Sequence, residues 1–271
     1  DFCLSRGLGD VYKRQVSKRV QECHWTQGMD GDMDPSHVGF LHPGLLQPAG
    51  SNGHGDQWKS QMLVDSAPAV DIVPTSYGML YAARRDGGPD HYYYRVNQWF
   101  MPWYTTIPPW TGDGPIAAHA WAPIDDRTSH CYAFTYHPSR PLTGEDRDYL
   151  LHRPDGLYSE LIPGTFRPIR NRSNDYADPE WPPERWRMQR MRHFQDQDVA
   201  ITESMGRLYD RTREHLGSSD KVIIRARTRL LEAARNLQKG IEPAIEPADY
   251  RARQVSVKLP RSVIDWRAAI A

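Results

Sequence analysis

The chain has 271 residues, and its 34 Lys plus Arg residues balance its 34 Asp plus Glu residues, so the formal net charge is zero. This length suits one large domain with a substantial core. The balanced charge excludes the basic excess that binds nucleic acid or an anionic membrane, and no apolar run approaches the roughly 18 residues of a spanning helix.

The beginning of the chain differs in character from the rest. Residues 1–15 show no clear hydrophobic period, so we predict a non-native or disordered leader followed by one domain over residues 16–271. Within that domain, residues 16–37 are predicted to be helical. The three cysteines, Cys3, Cys23 and Cys131, are too widely spaced for a disulfide framework and indicate a reducing cytoplasm.

The most informative stretch holds Asp34, His37 and His42 in the spacing D-x2-H-x4-H. Two imidazoles and a carboxylate suit a divalent metal such as Fe(II). On an ideal helix His37 and His42 diverge by about 140°. Because Pro43 and Gly44 follow, we place His37 on the last turn of a helix and His42 on the loop beyond it. Alternatively, Asp34 caps a new short turn that begins at Pro35.

Two ordinary histidines among the 11 in the chain are the simpler explanation of this spacing. The acidic run Asp30, Asp32 and Asp34 indicates a negative site that would attract a cation, and a solvated acidic loop is its simpler explanation. A third metal ligand, an Asp or Glu from elsewhere in the chain, would decide between these interpretations.

The middle of the chain is predicted to form antiparallel strands rich in Tyr, Trp, Phe and Val. They cover residues 77–85, 91–104, 116–123 and 128–137, joined as hairpins by turns at 86–90 and 125–127. Both faces of the second strand carry aromatic side chains, so helices should cover one face and a pocket or partner the other. His119, His130 and His137 are predicted to be hydrogen-bonding strand residues rather than metal ligands.

The charged stretch that follows offers candidate substrate contacts. Arg167, Arg170 and Arg172 could bind a substrate carboxylate, because a guanidinium binds one bidentately. Arg170, Arg172 and Asn174 are the candidates for substrate contact, and a solvated charged loop is the alternative. Helices are predicted at residues 196–216 and 221–239, the second with a clear apolar stripe, followed by an extended tail from residue 240.

The D-x2-H-x4-H motif combines with a second block far downstream. The run Gln197-Asp198-Val-Ala-Ile-Thr-Glu-Ser-Met-Gly, continuing to Gly217, together with Asp34, His37 and His42, closely resembles the catalytic domain of Rieske non-heme iron oxygenases. The nearest branch looks like the phthalate 4,5-dioxygenase group, with its related aromatic O-demethylases. The resemblance covers nearly all of residues 20–240.

The resemblance implies roles for individual residues. His37, His42 and Asp198 would hold a mononuclear Fe(II), and Asp34 would link an iron ligand of one subunit to the Rieske centre of the next. The Asp34 carboxylate would also fix the orientation of the His37 ring. Pro35 and His24 depart from the expected pattern and put the local helix shape in doubt.

The resemblance also implies a fold and partners. The fold is α+β, a helix-grip (START-like) domain whose curved antiparallel sheet surrounds a long C-terminal helix. The partners are an aromatic substrate, often carboxylated, O2, a separate reductase and further subunits in a trimer or stacked trimers. Three scattered cysteines cannot hold the [2Fe-2S] Rieske cluster, so its domain is expected upstream of this fragment, which alone should not turn over.

Two other functions remain open from sequence. A helix-grip domain can bind an apolar ligand without chemistry, because fold does not determine function. A zinc hydrolase could use the same two histidines. The sequence does not distinguish hydroxylation from O-demethylation.

Overall fold

The computed structural model describes residues 14–46, 61–109, 114–152, 158–177, 191, 193–243, 253–263 and 265–269. The strands in these ranges are β1 (Arg14–Gln21), β2 (Ala69–Pro74), β3 (Gly78–Asp86), β4 (His91–Phe100), β5 (Tyr104–Ile107), β6 (Ile116–Asp125), β7 (Thr128–Tyr136) and β8 (Val255–Pro260). The α-helices are α1 (Trp25–Met33), α2 (His37–Leu41), α3 (Pro43–Leu46), α4 (Gly144–His152), α5 (Phe194–Ser204) and α6 (Lys221–Leu237). No helix in these ranges is long and apolar enough to cross a bilayer.

The strands form one antiparallel sheet in the order β1-β7-β6-β5-β4-β3-β2. β8 pairs with the first half of β4, whose last two residues pair with β5. The two predicted hairpins are confirmed, since β3 pairs with β4 across the first turn and β6 with β7 across the second. The sheet therefore supplies two faces, and what covers each face positions the candidate site.

Helices cover the inner face of the sheet. The sheet side chains on this face include Met79, Tyr81, Trp99, Trp121 and Cys131, all buried. Against them pack α1, through Met29 and Met33, and α6, through Val222, Ile223 and Ala226. The apolar stripe predicted for α6 is thus confirmed, and so is the α+β helix-grip architecture.

The outer face is covered by the C-terminal segment of the chain itself. Leu80, Ala82, Tyr94 and Val96 of the sheet form a cluster with Leu259 and Trp266. The prediction that both faces of β4 are buried is confirmed. The expectation that a pocket or partner covers the second face is wrong, because the turn around Trp266 packs on it beside Leu259 of the neighbouring strand β8. Strand β8 lies within the tail that was expected to be merely extended.

Two predicted helices need correction. Residues 16–21 belong to β1 rather than to a helix, because they pair in register with β7 along the sheet edge. This pairing outweighs the weak local helix preference of a short polar segment. The helix predicted to reach residue 216 ends at Ser204, two residues before Gly206, whose φ of 99° cannot continue a helix. Residues 1–13 of the predicted leader lie outside the described ranges, whereas residues 14 and 15 belong to β1.

Helix α1 approaches the sheet closely at Gly28. A Cβ atom at this position would lie 2.2 Å from the Trp121 ring, which is buried and hydrogen-bonded through its Nε1 atom to Asp32. The ring therefore has little freedom to move away. At Gly31, on the same helix, a Cβ atom would meet no atom within 4 Å.

We expect Gly28→Ala to lower the free energy of unfolding by about 1–3 kcal/mol, because overpacking of a filled interior costs that much. The control Gly31→Ala should raise it by up to about 1 kcal/mol, because Ala favours the helix more than Gly does. Denaturant unfolding of both variants measures the difference. Similar values for the two variants would show that α1 does not seat against Trp121 in this way.

Candidate metal centre

The helix is interrupted at Asp34, and this interruption sets where the short helix that carries His37 begins. Helix α1 ends there, and the Asp34 carboxylate accepts hydrogen bonds from the backbone N–H groups of Ser36, at 2.8 Å, and His37, at 3.2 Å. These bonds satisfy donors at the start of α2. The alternative in which Asp34 caps a new short turn is therefore confirmed. The placement of His37 on the last turn of a helix is wrong.

The short length of α2 explains how the histidines converge. His37 is its first residue, and His42 is its C-terminal cap, with non-helical backbone angles of −109° and 25°. His42 thus leaves the helical path, and the divergence calculated for an ideal helix does not apply. The two ring centroids lie 5.3 Å apart. A third helix follows at once from Pro43, where the sequence suggested a loop.

Asp198 on α5 completes the cluster. Its Oδ1 atom lies 3.1 Å from Nε2 of His42 and 3.8 Å from Nε2 of His37. One ligand atom from each residue falls within 4.8 Å of the other two. Ligands at about 2.1 Å from one ion and at right angles would be about 3 Å apart, a spacing that the His42–Asp198 pair has and that the His37–Asp198 pair exceeds. No other such group of three His, Cys, Asp or Glu residues was found among the residues that the structure describes.

Hydrogen bonds fix which nitrogen of each histidine faces Asp198. Nδ1 of His42 lies 2.6 Å from Oε1 of Gln197, and the Gln197 amide donates through Nε2 to the Met191 carbonyl at 2.8 Å. Nδ1 of His37 contacts the Asp34 carbonyl oxygen. Because both partners of the histidines are acceptors, each Nδ1 carries the proton. Each Nε2 then presents a lone pair toward a metal.

This arrangement changes the expected role of Asp34. The sequence suggested that its carboxylate would orient the ring of His37. The structure shows its backbone carbonyl at the ring and its carboxylate on the backbone N–H groups of α2. Both contacts hold His37 in place, but the carbonyl of Asp34 contacts the imidazole, whereas the carboxylate contacts the backbone.

The charge and accessibility of the cluster suit a metal ligand set. Burial opposes ionisation of Asp198, but in the absence of a metal the positive charges of His42 and then His37, when these imidazoles are protonated, hold the pKa of this carboxyl below its usual range. Asp198 is therefore an anion at neutral pH. The side chain of His42 is 2% exposed and packs edge-on against Phe194, whereas that of Asp198 is 30% exposed. The cluster is open on one side, as a reactive site requires.

The acidic run before the site does not form one cation site. Asp30 forms ion pairs with Arg211 and Arg227 and so ties α1 to α6. Asp32 points into the interior, where it contacts His119 and Trp121. The alternative of a solvated acidic loop is also wrong, because these two carboxylates have partners inside the protein.

The arginines proposed to bind substrate also have partners within the protein. Arg170 is buried in an ion pair with Asp196, and Arg172 donates to the Glu203 carbonyl oxygen. Asn174 donates to the Ile169 carbonyl at 2.7 Å, within a capped turn. Arg167 lies near Glu22 at 3.4 Å on the surface. A substrate role for Arg170, Arg172 and Asn174 stays a prediction.

Other residues near the cluster were missed from sequence. Gln197 adjoins Asp198 in the sequence, yet its contact is with His42, 155 residues away. His119 and His137 do form hydrogen bonds, as predicted for strand residues. The buried Arg85, on β3, donates to the carbonyl of Pro35, between Asp34 and His37. The strand alternation alone could have assigned Arg85 to the inner face.

Comparison with known proteins identifies a family and several relatives that this chain matches over most of its length. Residues 10–270 match a family model described as LigXa C-terminal domain like. The chain is 29% identical to the 3-chlorobenzoate-3,4-dioxygenase oxygenase subunit of Comamonas testosteroni, over 92% of this chain and 60% of that protein. It is 27% identical to the phthalate 4,5-dioxygenase oxygenase subunit of Pseudomonas putida, over 93% and 58%. The chain thus spans less than two thirds of the length of these relatives.

A solved structure supports the fold alone. The structure of Pseudomonas putida CBB5 NdmB has a TM-score of 0.50 and 14% sequence identity, and the match covers 85% of this chain and 53% of that one.

We expect Gln197→Leu to weaken binding of a divalent ion by about 10–100-fold, because His42 loses the partner that orients it. Anaerobic calorimetry with Co²⁺ measures the affinity. The control is Gln195→Leu, on the same helix and also buried, which should leave the affinity unchanged. Equal losses in the two variants would assign the effect to packing of α5 rather than to His42.

Proposed function

The chain belongs to the LigXa C-terminal domain-like family, and from this premise we propose that it is the oxygenase domain of an aromatic-ring hydroxylase or O-demethylase. The resemblance to Rieske non-heme iron oxygenases noted from sequence is confirmed by this membership and by its relatives. The observation that carries the proposal is the convergence of His37, His42 and Asp198 on one point. The relatives are oxygenase subunits, so a non-catalytic binding module and a zinc hydrolase are not favoured.

The donor set fits a mononuclear Fe(II). Two neutral imidazoles and one carboxylate on a single face leave coordination positions open, and an Fe(II) bound there would supply the activation of O2. The protein contributes rigidity to this site. Asp34 and Gln197 hold the two imidazoles in one tautomer.

Electron supply is proposed to come from outside this chain. A [2Fe-2S] Rieske cluster needs two cysteines and two histidines in short clusters, and the two described cysteines, Cys23 and Cys131, are buried and free. We propose that a Rieske domain, a separate reductase and the neighbouring subunit of a homotrimer complete the enzyme in the cytoplasm. Asp34, next to His37, is the proposed contact to that domain.

Arg85 supports a carboxylated aromatic substrate. It is 2% exposed and donates to the carbonyls of Asp65, at 2.9 Å, and Pro35, while its third nitrogen has no partner among the described residues. No carboxylate of those residues lies within ion-pair distance of Arg85. Burial, and then the nearby Arg95, lower its pKa to about 10, so the group still carries a charge at neutral pH. A buried cation of this kind is stabilised by an anionic ligand.

The register of the sheet places Arg95 beside Arg85. Ala83 on β3 pairs with Arg95 on β4, so Arg85 and Arg95 are diagonal neighbours on the inner face. Because the Arg85 guanidinium is anchored to Pro35, the positive charge lies next to the segment that carries His37. A carboxylate bound there would hold an aromatic ring beside the metal ligands.

We expect Asp198→Ala to reduce iron content from about one ion per chain to background, because the remaining two imidazoles form an incomplete site. The control Asp34→Asn should keep iron, since the amide oxygen can still accept from the α2 backbone. Metal analysis after anaerobic loading measures both. Full iron content in Asp198→Ala would exclude this carboxylate as a ligand.

We expect Arg85→Met to weaken benzoate binding by about 10–100-fold, because a charge-assisted hydrogen bond contributes about 1.5–3 kcal/mol. Binding of uncharged benzamide should change little. The matched control is Arg84→Met. Arg84 is exposed, points to the opposite face of β3 from Arg85, and stacks on the Tyr92 ring. Fluorescence titration measures both ligands. An equal loss for benzoate and benzamide would contradict a carboxylate role.

A further inference from the structure

The proposed metal ligands come from two parts of the chain that the fold must bring into register. His37 and His42 follow helix α1, whereas Asp198 lies far downstream on α5. A metal site binds its ion tightly only when supporting contacts hold the ligands to within about 0.5 Å of the productive geometry. Contacts that join α1 to α5 therefore affect the site even where they involve no ligand.

The side chain of Gln27, on α1, makes such a contact. Its Nε2 atom donates to the carbonyl oxygens of Thr202 and Gly206, each at 2.9 Å, and its Oε1 atom accepts from the backbone N–H of Tyr209 at 3.0 Å. Both N–H groups of the amide are thus used, and Gln27 is 2% exposed. All three hydrogen bonds run from α1 to the end of α5 or to the residues just after it.

The end of α5 requires partners of this kind. The last four carbonyl groups of an α-helix have no partner within the helix, and α5 ends at Ser204. Gln27 donates to one of these groups, the Thr202 carbonyl, and also to Gly206, whose φ of 99° turns the chain away from the helix. One amide on α1 therefore caps the C-terminal end of α5.

Thr202 connects this cap to Asp198. The two residues are about one helical turn apart, and the Thr202 hydroxyl donates to the Asp198 carbonyl oxygen at 2.7 Å. The same hydroxyl accepts a hydrogen bond of 2.7 Å from Nε2 of Gln21, a buried residue of β1. Thr202 is thus held through its carbonyl by Gln27 and through its hydroxyl by Gln21, one turn from the ligand.

Helix α1 leads from Gln27 to the histidines. Gln27 precedes Asp34 by about two helical turns, and Asp34 holds the start of α2 and the ring of His37. A shift of α5 along α1 would therefore move Asp198 relative to both histidines. The hydrogen bonds of Gln27 oppose that shift.

We propose that Gln27 is a positioning residue that sets Asp198 in register with His37 and His42, so that the metal site is assembled before the ion binds. This inference rests on the proposed metal site and extends it to a residue that makes none of its side-chain hydrogen bonds to a ligand. Gln27 acts through Thr202. Removal of its amide frees α5 to shift relative to α1 and leaves all three ligands in the chain.

The test compares Gln27→Met with Gln98→Met in the whole chain. Each variant replaces a buried amide by an unbranched side chain of similar length. Gln98, on β4, donates to the Tyr77 hydroxyl and accepts from the backbone N–H of Arg253, each at 2.7 Å, and these bonds lie outside the segments that carry the metal ligands. Denaturant unfolding of the metal-free proteins measures how much each amide contributes to stability.

Anaerobic titration with Co²⁺ measures the affinity, and the visible absorption of the bound ion reports its coordination geometry. We expect Gln27→Met to bind Co²⁺ about 10-fold or more weakly, with an altered spectrum, because loss of a contact that orients the ligands typically weakens binding by this much. Gln98→Met should lose stability while its affinity and spectrum stay those of the wild type. The altered spectrum identifies positioning, since lower stability alone does not change the geometry of the bound ion.

Equal losses of affinity in the two variants, or wild-type affinity and spectrum in Gln27→Met, would overturn the proposal. If Gln27→Met does not fold, Thr202→Val decides in its place. Valine keeps the shape of threonine and removes only the hydroxyl that donates to the Asp198 carbonyl, so its Co²⁺ affinity and spectrum should change in the same direction. Wild-type affinity and spectrum in that variant would contradict the role of Thr202 and Gln27.

The same titrations distinguish this proposal from the proposed function. A wild-type chain that binds no Co²⁺ would reject the metal site, and with it the role of Gln27. Normal binding by the wild type, lost in Asp198→Ala but unchanged in Gln27→Met, would reject only the role of Gln27.

Discussion

The break between α1 and α2 is the constraint on which the site depends. Two histidines five residues apart cannot face one point on a continuous α-helix. The short length of α2 resolves this, because His42 lies just beyond its end with non-helical backbone angles, while Asp34 fixes where α2 and His37 begin. The capping bonds use the carboxylate, which leaves the backbone carbonyl of Asp34 to orient the imidazole. One residue therefore sets both the position and the tautomer of a ligand.

The interruption between α1 and α2 can position His37 only because α1 is itself held firmly against the sheet. Asp30 and Asp32 extend from this helix to different parts of the fold, α6 and β6. Gly28 allows the helix backbone to approach the Trp121 ring. Burying such carboxylates is costly unless each is paired, and both are. Asp30 and Asp32 thus attach α1 to the rest of the fold. The segment that follows, which carries His37, is held in place with it.

More of the candidate metal site could be predicted from the sequence than of the secondary structure and contacts around it. His37, His42 and Asp198 were recognisable because few residue types bind Fe(II) and their spacing matched a known pattern. Gln197, the hydrogen-bond partner of His42, could not be predicted, because a contact across 155 residues leaves no local signal. The strand β1 was misassigned for a related reason: its pairing with β7 comes from tertiary structure. The hairpins were predictable because their turn residues are local.

The segment from Asp32 to His37 joins the proposed substrate contact at Arg85 to the proposed metal ligands. Asp32 holds His119, the Pro35 carbonyl accepts from Arg85, and His37 is a proposed metal ligand, all within six consecutive residues. Consecutive Cα atoms are only about 3.8 Å apart, so these three functions cannot move far from one another. A substrate carboxylate at Arg85 would fix one end of an aromatic ring beside this segment. The orientation of the ring relative to the metal would then follow from the geometry of this one segment.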